Sequence, residues 1–334
     1  MHCSEQLEAR RLMAFTTSIA GGVLTVTSGN TAVNLSLAAD LGSLRITDSN
    51  DASTSVILLT QFNTVSVVGG NGNDRIVPAI DGLAFTVNGG AGNDTLVASS
   101  GTNDIRGGTG TDTVDFSSGS AALIITLDDT ANDTAFGAAS KNVRSDIENV
   151  IGGGGNDSIT GTQTANVLQG GGGKDTLVGA QGNDTLSGGN KNDSLVGQRG
   201  ADFLVGGAGT LDIVSYEEKR EPVSITIDDL ANDGVEAESD NITATAEGFV
   251  GGIGNDSIIG SGKPNLIFGG AGDDTLRGGS GNDSITGGAG LDSILGESGN
   301  DQLFGLDGQI DTLSGGSGTD SASSDSNDVI IAIP

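Results

Sequence analysis

The sequence predicts an all-β fold made by stacking short repeated strands into a solenoid, and three observations predict it. A nine-residue phrase, GGxGxDxUx with U a large aliphatic, returns in register along most of the 334 residues. So strict a short period marks stacked units rather than one globular core. Aromatic residues make up only 3% of the chain and Trp is absent, which leaves little with which to fill two conventional cores. Each phrase ends in xUx, long enough only for a very short strand whose aliphatic faces inward.

Taken in order, residues 1–20 read as a leader or export segment, although the short apolar stretch behind Arg10 and Arg11 is a poor secretory signal peptide. Within it Leu7 to Ala14, LEARRLMA, resembles the LEPR-x-LL-type N-terminal motif of large exported bacterial surface proteins, with Ala9 in place of Pro and Met13 in place of Leu. Residues 21–68 alternate apolar and polar in bursts bounded by Gly, Asn, Asp or Ser, and predict short strands forming an N-terminal cap. A cap is needed because the end of a repeat stack is otherwise an open sheet edge.

The phrase opens at Gly69, Gly89, Gly107, Gly152, Gly170, Gly251, Gly269, Gly278 and Gly287. It divides the chain into a first array over 69–115, an insert over 116–151, a second array of seven nonapeptides over 152–214, a second insert over 215–250 and a third array over 251–323. IITLDDTANDT from Ile124 aligns with SITIDDLANDG from Ser224, so the chain carries a tandem duplication of about 99 residues. The second unit of each long array has Asn where Asp is expected, at Asn166 and Asn265, and Asn103 stands at the corresponding place of the first array. The last residues, 324–334, place acids ahead of an apolar tail and read either as a capping strand or as a secretion signal.

The chemistry of the phrase points to calcium. Glycine permits positive φ and close approach of neighbouring loops, so the turn can aim its carbonyls at a common point. The sixth-position Asp adds a carboxylate. Two units, 18 residues, make one coil, so alternate units stack on the same side about 4.8 Å apart. That predicts carboxylate ladders: Asp157, Asp175 and Asp193 opposite Asp184 and Asp202; Asp256, Asp274 and Asp292 opposite Asp283 and Asp301; and Asp94 above Asp112. Asp74 holds the sixth position of the first phrase. Stacked carboxylates repel unless a cation lies between them, and oxygen ligands without usable His or Cys select Ca²⁺ over a transition metal. The alternative for any one Asp is a residue that merely caps its own turn. Asp128-Asp129 and Asp228-Asp229, in the inserts, are solvated hairpin residues or further calcium loops.

These phrases resemble the RTX (repeats-in-toxin, haemolysin-type calcium-binding) family over roughly residues 69–323. The resemblance implies a right-handed parallel β-roll or β-helix with multiple Ca²⁺ held between successive turns. It implies as ligands the sixth-position Asp residues together with the carbonyls of their glycine turns: Gly89 and Gly92, Gly107 and Gly110, Gly152 and Gly155, Gly170 and Gly173, Gly269 and Gly272, Gly278 and Gly281, and Gly287 and Gly290. The Asn units depart from the pattern, as does the unit at Gly188, where Lys191 replaces the fourth-position Gly.

A formal charge of −30, from 14 Lys and Arg against 44 Asp and Glu, argues against nucleic acid and anionic membrane as partners. No run of 18 apolar residues exists, so no transmembrane segment is expected. The only histidine is His2, which excludes an HExxH zinc site and leaves no base for a Ser-His-Asp triad. No catalytic head is therefore expected. The expected function is an exported calcium-binding repeat protein, secreted or on a bacterial cell surface, whose β-roll folds on meeting extracellular calcium in a structural or surface-associated role. Two alternatives stand beside it: an adhesin or carbohydrate-recognition module that binds a cell-surface polymer or glycan, and a non-catalytic accessory chain of a secreted enzyme.

Overall fold

The computed structural model describes residues 15–20, 23–29, 32–40, 43–48, 53–58, 63–79 and 83–333. Residues 1–14, with most of the leader and its LEARRLMA segment, lie outside them, as do His2 and Cys3. Among the described residues every regular element is a strand, and no helix is long and apolar enough to cross a membrane. Contacts divide the chain into two compact units, residues 1–151 and 152–334.

In residues 1–151 two stacks of parallel strands wind together. One runs from Val23–Ser28 through Thr64–Gly70 and Ala84–Ala91 to Thr102–Thr109, with Val65 paired to Phe85. The other runs from Asn34–Asp40 through Arg75–Ala79, Thr95–Val97 and Thr113–Asp115 to Asn149–Ile151. Phe15–Ala20, read from sequence as the end of the leader, is a strand antiparallel to Val23–Ser28. Strands Ser43–Asp48 and Ser53–Leu58 extend the second stack as an antiparallel meander. Residues 23–40 already follow the coil geometry of the nonapeptides, because Leu24, Val26, Leu35 and Leu37 bury in the same alternation.

In residues 152–334 the parallel register is stricter. Leu177, Leu195 and Val214 pair in succession, followed across the insert by Phe249, Ile267, Ile285, Leu303 and Ala322. Leu168, Leu186, Leu204 and Ile242 make a second line, and Ile225, Ile258, Leu276, Ile294, Leu313 and Ile330 a third. The eighth-position aliphatics are buried throughout, including Leu96, Val114, Ile159, Leu177, Leu186, Leu195, Leu204, Ile258, Leu276, Ile285, Ile294 and Leu303. Each such side chain contributes about 1.5–3 kcal/mol relative to exposure. The core is thus one aliphatic deep, in keeping with a composition poor in aromatics.

The inserts are hairpin excursions. Ile124 pairs antiparallel with Thr134, and Val223 and Ser224 with Val235 and Gly234. Each is pinned by one buried aspartate with both oxygens engaged: Asp133 accepts from the N–H groups of Thr126 (2.8 Å) and Val143 (2.7 Å), and Asp233 from those of Thr226 (2.8 Å) and Ile242 (2.9 Å). Asp128 and Asp228 cap their own turns through the N–H groups of Thr130 and Leu230. Asp129 and Asp229 occupy positive φ in exposed corners, where aspartate tolerates the left-handed region better than most residues.

Candidate calcium-binding ladders

The sixth-position aspartates form columns in which each carboxylate reaches one coil back. Asp193 Oδ1 accepts from the Asp175 N–H, and Asp175 Oδ1 from the Asp157 N–H, both at 2.8 Å over a separation of 18 residues. On the opposite side Asp184 and Asp202 make the same link at 2.8 Å. In the third array Asp274 accepts from Asp256 (2.8 Å), Asp292 from Asp274 (2.9 Å) and Asp301 from Asp283 (2.9 Å). In the first array Asp94 Oδ1 accepts from the Asp74 N–H (2.7 Å) and Asp112 Oδ1 from the Asp94 N–H (2.8 Å). The column is a hydrogen-bonded chain of carboxylate to amide, and one oxygen of each carboxylate is committed to it.

The other oxygen is different. Oδ2 of Asp94, Asp112, Asp175, Asp184, Asp193, Asp202, Asp274, Asp283, Asp292 and Asp301 is buried with no hydrogen-bond partner among the described residues. Each of these residues is at most 3% exposed. Burial holds their pKa values above the ordinary carboxylate range: Asp184, Asp193 and Asp274 are pushed up to about 7, and Asp112, Asp175, Asp283 and Asp292 to about 6. The next carboxylate in the column adds repulsion, as Asp202 does to Asp184 and Asp175 to Asp193. Bare anionic oxygens in a row are costly unless neutralised by protons or by a cation.

The glycines shape the space around those oxygens. A Cβ on Gly89, Gly107, Gly152, Gly170, Gly269, Gly278 or Gly287 would run into the carboxylate of its own unit's Asp, so the Asp folds over the first-position Cα. At the fourth position the coils meet: Gly173 has φ +138° and its Cβ would strike the Gly155 carbonyl of the coil before. Gly92, Gly110, Gly272, Gly281 and Gly290 lie likewise against the backbone of the preceding coil, with φ from +123° to +146°. Among the described residues no three His, Cys, Asp or Glu side chains converge on one point, so a cation held here would have to draw most of its oxygens from backbone carbonyls. A hard divalent cation of flexible geometry suits that donor set.

Three groups of residues refine the sequence reading. Asp157 and Asp256, each first in its array, turn Oδ2 onto their own loops, where Gly153 and Gly252 N–H groups donate. Asn166 and Asn265 do the same with their amide oxygens, accepting from the Thr162 and Ser261 N–H groups at 2.7 Å. Lys191 takes the left-handed region at φ +74°, and Asp193 in its unit keeps its place in the column.

The columns also extend beyond the nonapeptides. Asp212 receives the Asp193 N–H, Glu247 that of Asp212, and Glu148 that of Asp112. Asp240 receives Asp202, Asp311 receives Asp292, Asp320 receives Asp301, and Asp328 receives Asp311. Asp212, Asp311 and Asp320 carry the same buried, unpartnered Oδ2 among the described residues. The signal was present as an acid two residues before a buried apolar, seen in Glu148-Asn149-Val150, Asp240-Asn241-Ile242 and Glu247-Gly248-Phe249, without the glycines.

Parallel coils joined by glycine turns, with one acid per turn stacked in columns, define a calcium-binding repeat solenoid. The family model for the RTX calcium-binding nonapeptide repeat matches residues 86–120, 151–186, 178–210, 250–285, 277–309 and 286–322, which together span half of the sequence. The chain belongs to this RTX repeat family. No curated protein matches it.

Proposed function

We propose that this protein is an exported calcium-binding repeat protein whose arrays set into their folded form on meeting extracellular calcium, and that it serves a structural or surface-associated role without catalysing a reaction. The observation that carries the reading is the row of buried, unpartnered Oδ2 atoms lying beside glycine-turn carbonyls. Asp175, Asp184, Asp193, Asp202, Asp274, Asp283, Asp292, Asp301, Asp94 and Asp112 are the proposed side-chain ligands, joined by Asp212, Asp311 and Asp320. Calcium would neutralise the columns and take up carbonyl oxygens that the turns present to it. Asp157 and Asp256, whose second oxygens are held by their own turns, contribute less.

The net charge of −30 supports the same reading, because the metal-free chain repels itself and has a thin apolar core to oppose that. A chain of this kind stays extended where calcium is scarce and folds where it is abundant. Calorimetric titration of the metal-stripped protein tests the cation. Saturable uptake of several Ca²⁺ per chain, with Mg²⁺ giving little heat, is the expected result. No calcium uptake, or an equal response to Mg²⁺, contradicts it.

A further inference from the structure

The two tandem copies solve one local problem with different residues. In both, the last turn on one side before the insert is followed in its column by an insert strand: Ile105 pairs with Val143 in the first copy, and Leu204 with Ile242 in the second. The equivalence is tight. Asn142 and Asn241 each donate through Nδ2 at 3.3 Å to the carbonyls of Asp129 and Asp229, and Val143 and Ile242 each donate to the pinning aspartates Asp133 and Asp233. One residue before those asparagines the copies diverge, with Lys141 in the first and Asp240 in the second.

Lys141 is buried and its ammonium donates at 2.6 Å to the carbonyl of Ser100, in the turn of residues 98–103. The matching turn of the second copy, residues 197–202, also carries an ammonium on a carbonyl, but from elsewhere. Lys219 Nζ donates to the carbonyl of Gln198 and to both oxygens of Glu238, at 2.6 and 2.7 Å. The residue of the first copy that aligns with Lys219 is Gly119. Where position 141 is a lysine, position 119 is a glycine; where position 240 is an aspartate, position 219 supplies the lysine. Lys141 and Lys219 are the only basic side chains in the buried set among the described residues. A positive charge sits on the same turn of both copies, although the positions that deliver it are unrelated.

We propose that Lys141 and Lys219 are tethered cations that stand in for calcium at the turn where each column passes from the nonapeptides into its insert. The proposal rests on the reading of the arrays as calcium sites. An ammonium and Ca²⁺ make the same demand of the turn, which is to have carbonyl and carboxylate oxygens aimed inward. A covalently attached cation needs no free calcium, so these two turns set independently of the metal. In the second copy Glu238 is the carboxylate that holds the lysine, and Asp202 feels its charge at longer range; Asp240 is engaged elsewhere, with the Asp202 N–H at 2.8 Å and the Tyr216 hydroxyl at 2.7 Å.

The test counts calcium per chain, by equilibrium dialysis and atomic absorption on the full-length protein at saturating calcium. Lys219→Met leaves the Glu238 carboxylate and the Gln198 carbonyl without their ammonium, close to the Asp202 carboxylate, and the chain should bind one more Ca²⁺ than the wild type. Lys141→Asp, which gives the first copy the residue found in the second, should also add one. Lys219→Arg and Lys141→Arg keep the charge and should bind the wild-type number. An unchanged count in the folded Met and Asp variants overturns the proposal, as does failure of either to fold at any calcium concentration, since calcium would then not replace the ammonium. A wild type that binds no calcium refutes the calcium reading of the arrays instead.

Discussion

Asn166 and Asp184 are neighbours in one column, and they use the same side-chain shape for different ends. The amide oxygen of Asn166 accepts from the Thr162 N–H of its own turn at 2.7 Å and from the Thr162 hydroxyl at 3.1 Å. Asp184 instead sends Oδ1 across to the Asn166 N–H and leaves Oδ2 buried without a partner among the described residues. Asn265 and Asp283 repeat the contrast, with Ser261 in the place of Thr162. If the sixth position existed only to close its turn, asparagine would serve in every unit. The aspartates that decline this local bond hold an anionic oxygen in reserve, which is the arrangement a cation requires.

The comparison can be broken by substitution. The largest effect is expected from Asp175→Ala, which strands the buried Asp157 N–H of the coil before and removes a proposed calcium ligand. A stranded buried donor alone costs about 1–3 kcal/mol, and loss of bound calcium adds to that. Chemical denaturation in calcium, with the calcium count measured alongside, should show both losses. Gly170→Ala should act through the same carboxylate, because its methyl would displace the Asp175 side chain. Its calcium midpoint in circular dichroism should rise, and an unchanged midpoint would count against the placement of that oxygen.

A pH experiment distinguishes the two kinds of unit without mutation. Burial raises the folded-state pKa values of column aspartates, to about 6 for Asp112, Asp175, Asp283 and Asp292 and to about 7 for Asp184, Asp193 and Asp274, above the value near 3.9 of an unfolded chain. A raised pKa contributes stability below the unfolded value that is lost as pH rises through the folded one. The metal-stripped chain should therefore show more β structure at pH 4.5 than at pH 8. With calcium present the direction reverses, since protons compete for the same oxygens and the calcium midpoint should rise on acidification. Asn166→Asp should add a carboxylate to the column beside Asp184 and lower the calcium midpoint. Asn166→Ala, the smallest change, removes the turn's own hydrogen bonds and should cost about 1 kcal/mol with the calcium count unaltered.

Much of this was legible in the chain because the period does the work. The 18-residue coil follows from two nonapeptides, and the inward aliphatics such as Leu177, Leu195 and Ile285 follow from their fixed place in each phrase. The carboxylate order Asp157, Asp175, Asp193 follows from the 18-residue spacing alone. What the count could not reach was the second oxygen: whether an Asp bonds to its own turn, as Asp157 does, or across the coils, as Asp175 does, depends on the N–H groups that the stacked turn leaves free. Asp212 and Asp311 were hidden by one extra residue in their units, which moves the acid from the sixth place to the seventh. Glu148, Glu247 and Asp240 were hidden because the inserts keep the backbone register and discard the glycines that advertise it. Lys141 and Lys219 had no motif at all; only the folded turn brings each to its carbonyl.

The central claim is that calcium and the folded columns form together. Far-ultraviolet circular dichroism of the metal-stripped, full-length chain at neutral pH, titrated with CaCl₂, tests it most directly. The account predicts little β signal in chelator and a cooperative gain with a midpoint of about 10⁻⁴ to 10⁻³ M, the range of extracellular calcium modules. Equal β content with and without calcium would contradict it.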